Sequence, residues 1–126
     1  MKKGFGTNVQ RQSKRVTQLK KNIRNLSSPD DIMLSILEIF TRSVLIPEVG
    51  KYYTFIYLAK TPNITYDQYP LIIVTSISKW GFTGLNFHWG TSRNYTWEEV
   101  IGKMHVVEDN EVDYLRSLPY AKLVTK

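Results

Sequence analysis

The stretch from Gly50 to Trp89 reads GKYYTFIYLAKTPNITYDQYPLIIVTSISKWGFTGLNFHW. Tyr52, Thr54, Ile56 and Leu58 alternate with Tyr53, Phe55, Tyr57 and Ala59, and both sets are largely apolar or aromatic. A strand of that composition is covered on both faces. Leu71 to Ile77 reads as a second buried strand, and Phe82 to Trp89 as a third, interrupted by Gly84. Trp80 and Gly81 supply the turn between them, and the run from Lys60 to Tyr69 reads as a loop. Three consecutive strands with short connections predict an antiparallel meander.

Upstream of this block, Ser28 suits a helix N-cap, Pro29 the first helical position, and Asp30 and Asp31 the positive end of the dipole. Ile32, Met33, Ile36, Leu37, Phe40 and Val44 follow at helical spacing, and Pro47 and Gly50 are read as the stop. Further upstream, apolar residues at 9, 16, 19, 23 and 26 trace one narrow stripe on an otherwise basic helix, with Gln12 in a stripe position. A helix of that length is marginal alone in water. Its partner is the rest of the chain, another subunit or a nucleic acid.

Downstream, Thr96 and Glu99 match a capping box, which predicts a short helix to about Gly102. Lys103 to Val107 reads as a shorter fourth strand, and Asp109 to Leu118 as a last helix stopped by Pro119. The expected class is α+β: two N-terminal helices, then a small twisted antiparallel sheet or partly closed barrel, with short C-terminal helices. Residues 1–27 are expected to form a basic arm, and residues 28–126 a single domain.

Composition narrows the functional classes. With 126 residues there is room for one domain with a real core. No cysteine is present, which removes disulfides, thiolate nucleophiles and cysteine zinc sites. No apolar run approaches the ~20 residues that cross a bilayer. The net charge of +6 is split unevenly: residues 1–27 carry +8 with no acidic residue, and the remainder carries −2. Arg11, Lys14, Arg15, Lys20, Lys21 and Arg24 make the arm a candidate contact for a polyanion, either nucleic acid or an acidic protein surface.

Catalytic candidates are few. His88 and His105 are the only histidines, with no zinc-type spacing around either, so His88 reads as a hydrogen-bonded strand residue. Asp67 precedes a buried strand and is read as satisfying its own loop's backbone donors, with a pairing to His88 across the sheet as the alternative. Such a pair would match the orienting half of a triad, but no strained nucleophile turn accompanies it. Glu98, Glu99, Glu108, Asp109, Glu111 and Asp113 form an acidic C-terminal cluster, several of them in helix first turns. The cluster offers a docking site for a neighbour's basic arm, a positive head meeting a negative tail. Aromatic and basic residues are segregated along the chain, which argues against a strand-stacking surface for single-stranded nucleic acid. Gly81, Gly84 and Gly90 read as turn and bulge glycines.

The motifs GKYYTFIY, TYDQYPLIIV and GFTGLNFHW, taken in order, resemble small uncharacterised proteins of tailed bacteriophages, especially contractile-tailed ones. The resemblance covers about 40 residues and rests on Gly50, Tyr53, Phe55, Tyr57, Tyr66, Asp67, Pro70, Leu71, Gly81, Phe82, Gly84, Asn86 and His88. It does not extend to the basic arm or the acidic C-terminal region. It implies a structural or assembly role in tail, baseplate or neck, no enzymatic activity and no cofactor. The expected partners are other virion proteins, met through an acidic surface, with homo-oligomers through arm and acidic region as a further form. The expected location is the virion, assembled in the host cytoplasm. The alternative is a phage nucleic-acid-binding protein whose arm contacts phosphates during packaging or genome closure. A third class, a small nuclease or hydrolase, would rest on Asp67, His88 and the acidic cluster alone.

Overall fold

The computed structural model describes residues 13–58, 66–121 and 123–124, with Tyr66, Leu123 and Val124 placed as backbone. Arg11, the stripe positions Val9 and Gln12, and loop residues 59–65 lie outside the described residues. Helix α1 spans Lys14–Asn22, capped by Ser13, whose hydroxyl accepts the Val16 N–H at 3.0 Å. Helix α2 spans Pro29–Ile39, with Ser28 as N-cap and Pro29 in its first turn, as the sequence requires. It stops at Phe40, short of Val44, because the chain turns extended there and the Arg42 carbonyl accepts the Val106 N–H at 2.8 Å.

Val16, Leu19 and Ile23 of the basic helix are buried together with Ile32, Met33, Ile36 and Phe40 of α2, and Leu19 is wholly inaccessible. Leu19 and Ile23 share one core with Leu71, Val107 and Leu115. The partner that the narrow stripe needed is therefore the rest of the chain. The boundary drawn at residue 27 cuts through this core, and from Ser13 onward the basic segment packs with the domain.

The strands are β1 (Ser43–Val44), β2 (Tyr52–Tyr57), β3 (Tyr66–Asp67), β4 (Leu71–Ile77), β5 (Gly81–Asn86), β6 (Thr91–Thr96), β7 (Val100–Val107) and β8 (Leu123–Val124). Six of them form one antiparallel sheet in the order β1-β7-β2-β4-β5-β6, while β3 and β8 pair separately. The meander β2-β4-β5 is the one the sequence predicts. A short helix α3, Val112–Ser117, follows β7 and precedes β8, so the class is α+β.

A single 3-10 turn, Trp97–Glu99, leads from edge strand β6 to β7 on the far side of β2. Four strand spacings in a flat sheet measure ~19 Å, whereas four peptide steps reach at most ~14 Å. The sheet must therefore roll. It remains open rather than closing into a barrel, and the Thr96 N–H spans the gap to the Tyr57 hydroxyl at 3.2 Å. The concave face holds Tyr53, Phe55, Tyr57, Ile72, Val74, Phe82, Tyr95 and Met104, and the helices cover the opposite face of β2.

Other differences from expectation have local causes. The third strand ends at Asn86, and His88 lies in the following turn. The hydrophilic run Thr91–Thr96 forms a strand because it pairs residue for residue with β5. The expected helix after Thr96 is cut to one turn, since Val100, Met104, Val106 and Val107 are needed beside β2. The Thr96 hydroxyl hydrogen-bonds the Glu99 carboxylate instead of capping a backbone. The reciprocal capping box falls later, between Glu108 and Glu111.

Gly81 opens β5 rather than sitting in a turn, and a Cβ there would overlap the Tyr95 carbonyl. Gly84 faces Val74 beside the irregularity between Val74 and Ser76, where a Cβ would press on Ile72.

Candidate functional site

Asn86, at the end of β5, joins three elements. Its carbonyl accepts the backbone N–H groups of His88 and Trp89 at 2.9 and 3.0 Å, which holds the turn to β6. Its amide donates to the Asp67 carboxylate and, at 3.2 Å, to the Tyr95 hydroxyl. Asn86 and Asp67 are 0% and 1% exposed. Burial pushes the Asp67 carboxyl up to about 6, while the Arg93 charge and a hydrogen bond from Trp89 pull the other way. One carboxylate oxygen, Oδ1, is buried with no hydrogen-bond partner. Burial likewise pushes the Tyr95 phenol far above its ordinary value, and the nearby Asp67 charge adds to it.

Asp67 therefore does not cap its own loop. It anchors the β3–β8 pair to the sheet through Asn86. Pro70 is buried, and its carbonyl accepts the Thr54 hydroxyl at 2.9 Å. Tyr66 pairs with Val124 through its backbone. His88 does not face Asp67: its Nε2 lies 3.2 Å from the Leu118 carbonyl and its ring stands edge-on to Tyr120. Burial lowers the His88 pKa. Six of the singled-out positions, Asp67, Pro70, Gly81, Gly84, Asn86 and His88, thus hold the loop, the turn and the close strand approaches of the fold. The Asp–His pairing is not formed. Trp89, Tyr95 and Arg93 complete the Asn86 network; Trp89 closes the GFTGLNFHW motif, whereas Tyr95 and Arg93 carried no motif that marked them.

The basic segment is divided by its packing. Arg15 turns inward, its guanidinium gripping Glu111 at 2.5 and 2.9 Å and lying 4.3 Å over the Phe40 ring. Glu111 is 1% exposed; burial pushes it up, but hydrogen bonds led by Arg15 hold it below the usual carboxylate value. Lys14, Lys20, Lys21 and Arg24 remain exposed, with the Lys20 ammonium 5.1 Å over Tyr114. Basic helix and acidic C-terminal region thus meet within one molecule. Arg42 adds a second, exposed pair with Glu108 at 2.7 Å.

A third surface was not foreseen from sequence. Leu45 and Ile46, 71% and 69% exposed, line an open groove of about 560 Å³ together with Ile77, Trp97, Val100 and Gly102. It lies where β7 leaves the link from β6, so the incompletely closed sheet leaves it open. The sequence signal was the apolar pair Leu45–Ile46 beyond the end of α2, which the helical spacing had absorbed.

Among the described residues, no group of three His, Asp or Glu is placed to hold a metal ion, and no helix is long and apolar enough to cross a membrane. No protein-family model, curated protein or solved structure matches the chain.

Proposed function

We propose that this protein is a structural component of a phage particle, in tail, baseplate or neck, that docks through fixed surfaces of its body. The observation that carries this reading is the groove around Leu45 and Ile46, because large apolar side chains left in water on a folded domain mark a contact surface. The exposed cations of α1 supply a second surface, suited to an acidic protein face. Its rigidity comes from the burial of Val16 and Leu19 beneath it. The strand-block resemblance to tailed-phage proteins points the same way.

Quantitative mass spectrometry of purified particles from cells carrying the gene tests the proposal. The expected result is a reproducible copy number per particle that survives salt washing. Absence from the particles contradicts it. Duplex binding by the pure protein, weakening steeply and log-linearly with salt, would favour phosphate contact by α1 instead.

A further inference from the structure

The geometry points to β6 as a self-association edge: two copies pair their β6 strands antiparallel across a two-fold axis, continuing the sheet into a second molecule. This inference does not depend on the virion reading.

The ladder between β5 and β6 runs without irregularity from Gly81↔Thr96 to Asn86↔Thr91. Its phase follows from one bond, Trp97 N–H to the Trp80 carbonyl at 3.2 Å. In an antiparallel ladder a bond between those flanking residues makes Gly81↔Thr96 a non-hydrogen-bonded pair. Phe82↔Tyr95, Gly84↔Arg93 and Asn86↔Thr91 are then the bonded pairs. Ser92, Asn94 and Thr96 consequently aim their N–H and C=O groups away from β5. Thr96 bears this out independently, since its N–H reaches outward to Tyr57. Ser92 and Asn94 are exposed, and among the described residues no strand lies beyond them.

Native edges are usually blunted by proline, lysine, a bulge or a covering element. β6 has no proline, lysine or bulge, whereas the opposite edge, β1, is only two residues long. A second copy is the occupant that fits, because an antiparallel pair across a two-fold axis needs the same donors and acceptors from both sides. Charge is compatible as well. The single charged residue of β6 is Arg93, and the carboxylate of Asp67 in its own chain acts on it. Centring the axis on Asn94 sets Arg93 opposite Tyr95 of the second copy and keeps the two guanidiniums apart. In that register each Asn94 N–H donates to the other Asn94 carbonyl. Each Ser92 N–H donates to the other Thr96 carbonyl, and the Thr96 N–H stays on Tyr57.

Sedimentation velocity of the full chain across a wide concentration range tests this. A reversible monomer–dimer equilibrium is expected. Ser92→Pro and Asn94→Pro remove outward N–H groups without breaking a β5–β6 ladder bond and should weaken dimerisation about tenfold or more. Asn94→Ala, which loses the same Thr83 contact as Asn94→Pro but keeps its N–H, should leave it intact. Should the proline variants fail to fold, amide exchange of the unaltered protein decides. Ser92 and Asn94 amides should gain protection as concentration rises, while Arg93 and Tyr95 stay protected throughout. A strictly monomeric chain, proline variants that dimerise normally, loss of the dimer in Asn94→Ala, or Ser92 and Asn94 amides indifferent to concentration would each overturn the inference.

Discussion

On one face of β2, Tyr52 and Ile56 pack against a largely aliphatic layer built from Leu19, Ile36, Leu71 and Leu115 under the helices. On the other, Tyr53, Phe55 and Tyr57 enter a ring cluster with Phe82 and Tyr95 inside the rolled sheet. Phe55 and Tyr57 meet Tyr95 edge-on, with centroids 5.6 and 5.0 Å apart, and the Tyr95 hydroxyl is tied to Asn86. The aliphatic layer relies on area removed from water, which is non-directional and tolerates repacking. The aromatic side adds ring geometry and a buried polar network, so one lost side chain disturbs several partners at once. The two layers are thus expected to respond differently to the same truncation.

Phe55→Ala should give the largest loss, about 3–5 kcal/mol in denaturant unfolding, because the vacated ring volume is walled by Tyr57, Phe82 and Tyr95. A loss no larger than that of Leu19→Ala would show that the concave layer collapses as easily as the aliphatic one. Leu19→Ala should cost about 3 kcal/mol, since Leu19 is 0% exposed in the helix-covered layer. An unchanged midpoint would make α1 an appendage. Deleting residues 1–27 should for the same reason unfold the body rather than trim an arm.

Next in size comes Arg15→Ala, at about 2 kcal/mol, because it strands the buried Glu111 carboxylate. Arg42→Ala removes a pair whose side chains are 68% and 51% exposed and should cost under about 0.5 kcal/mol. Equal effects of the two would contradict the burial difference between them.

Asp67→Asn differs from the others in that its effect depends on pH. A carboxyl raised to about 6 in the folded state, against 3.8 unfolded, contributes stability that is fully present below 3.8 and lost as pH rises through about 6. His88, with its pKa lowered by burial, contributes in the opposite sense, losing stability as pH falls below 6.5. The melting-temperature difference between the wild type and Asp67→Asn isolates the carboxylate. Wild type should lose ground relative to the variant between about pH 4 and 7. A pH-independent difference would show that Asp67 titrates normally.

Much of the fold was legible where periodicity and capping agreed. Ser28, Pro29 and the alternation through Tyr52–Tyr57 sufficed for α2 and β2, and the Leu71–Ile77 run for β4. β6 was not legible, because an edge strand exposed along most of its length has no alternation to read. The Lys103–Val107 half of β7 was legible, but its start at Val100 was hidden by the helix signal at Thr96–Glu99 and by Gly102. Met104 and Val106 face the aromatic core and Val107 the helix-covered one. Asn86 was marked only by the resemblance; its role depends on Asp67 and Tyr95, brought together by strand register. The Arg15–Glu111 pair joins residues 96 apart in sequence, beyond any local pattern.

The central claim is that the chain acts through fixed docking surfaces, one of them the cationic surface formed by α1 and by Arg24 just beyond it. Lys14→Gln, Lys21→Gln and Arg24→Gln combined remove three exposed charges without touching Val16, Leu19 or the Arg15–Glu111 pair. The decisive measurement is the copy number of this variant in purified particles when it competes with the wild-type chain. The account predicts an unchanged melting temperature with incorporation reduced about tenfold or more. Incorporation of the folded variant at the wild-type copy number would contradict it.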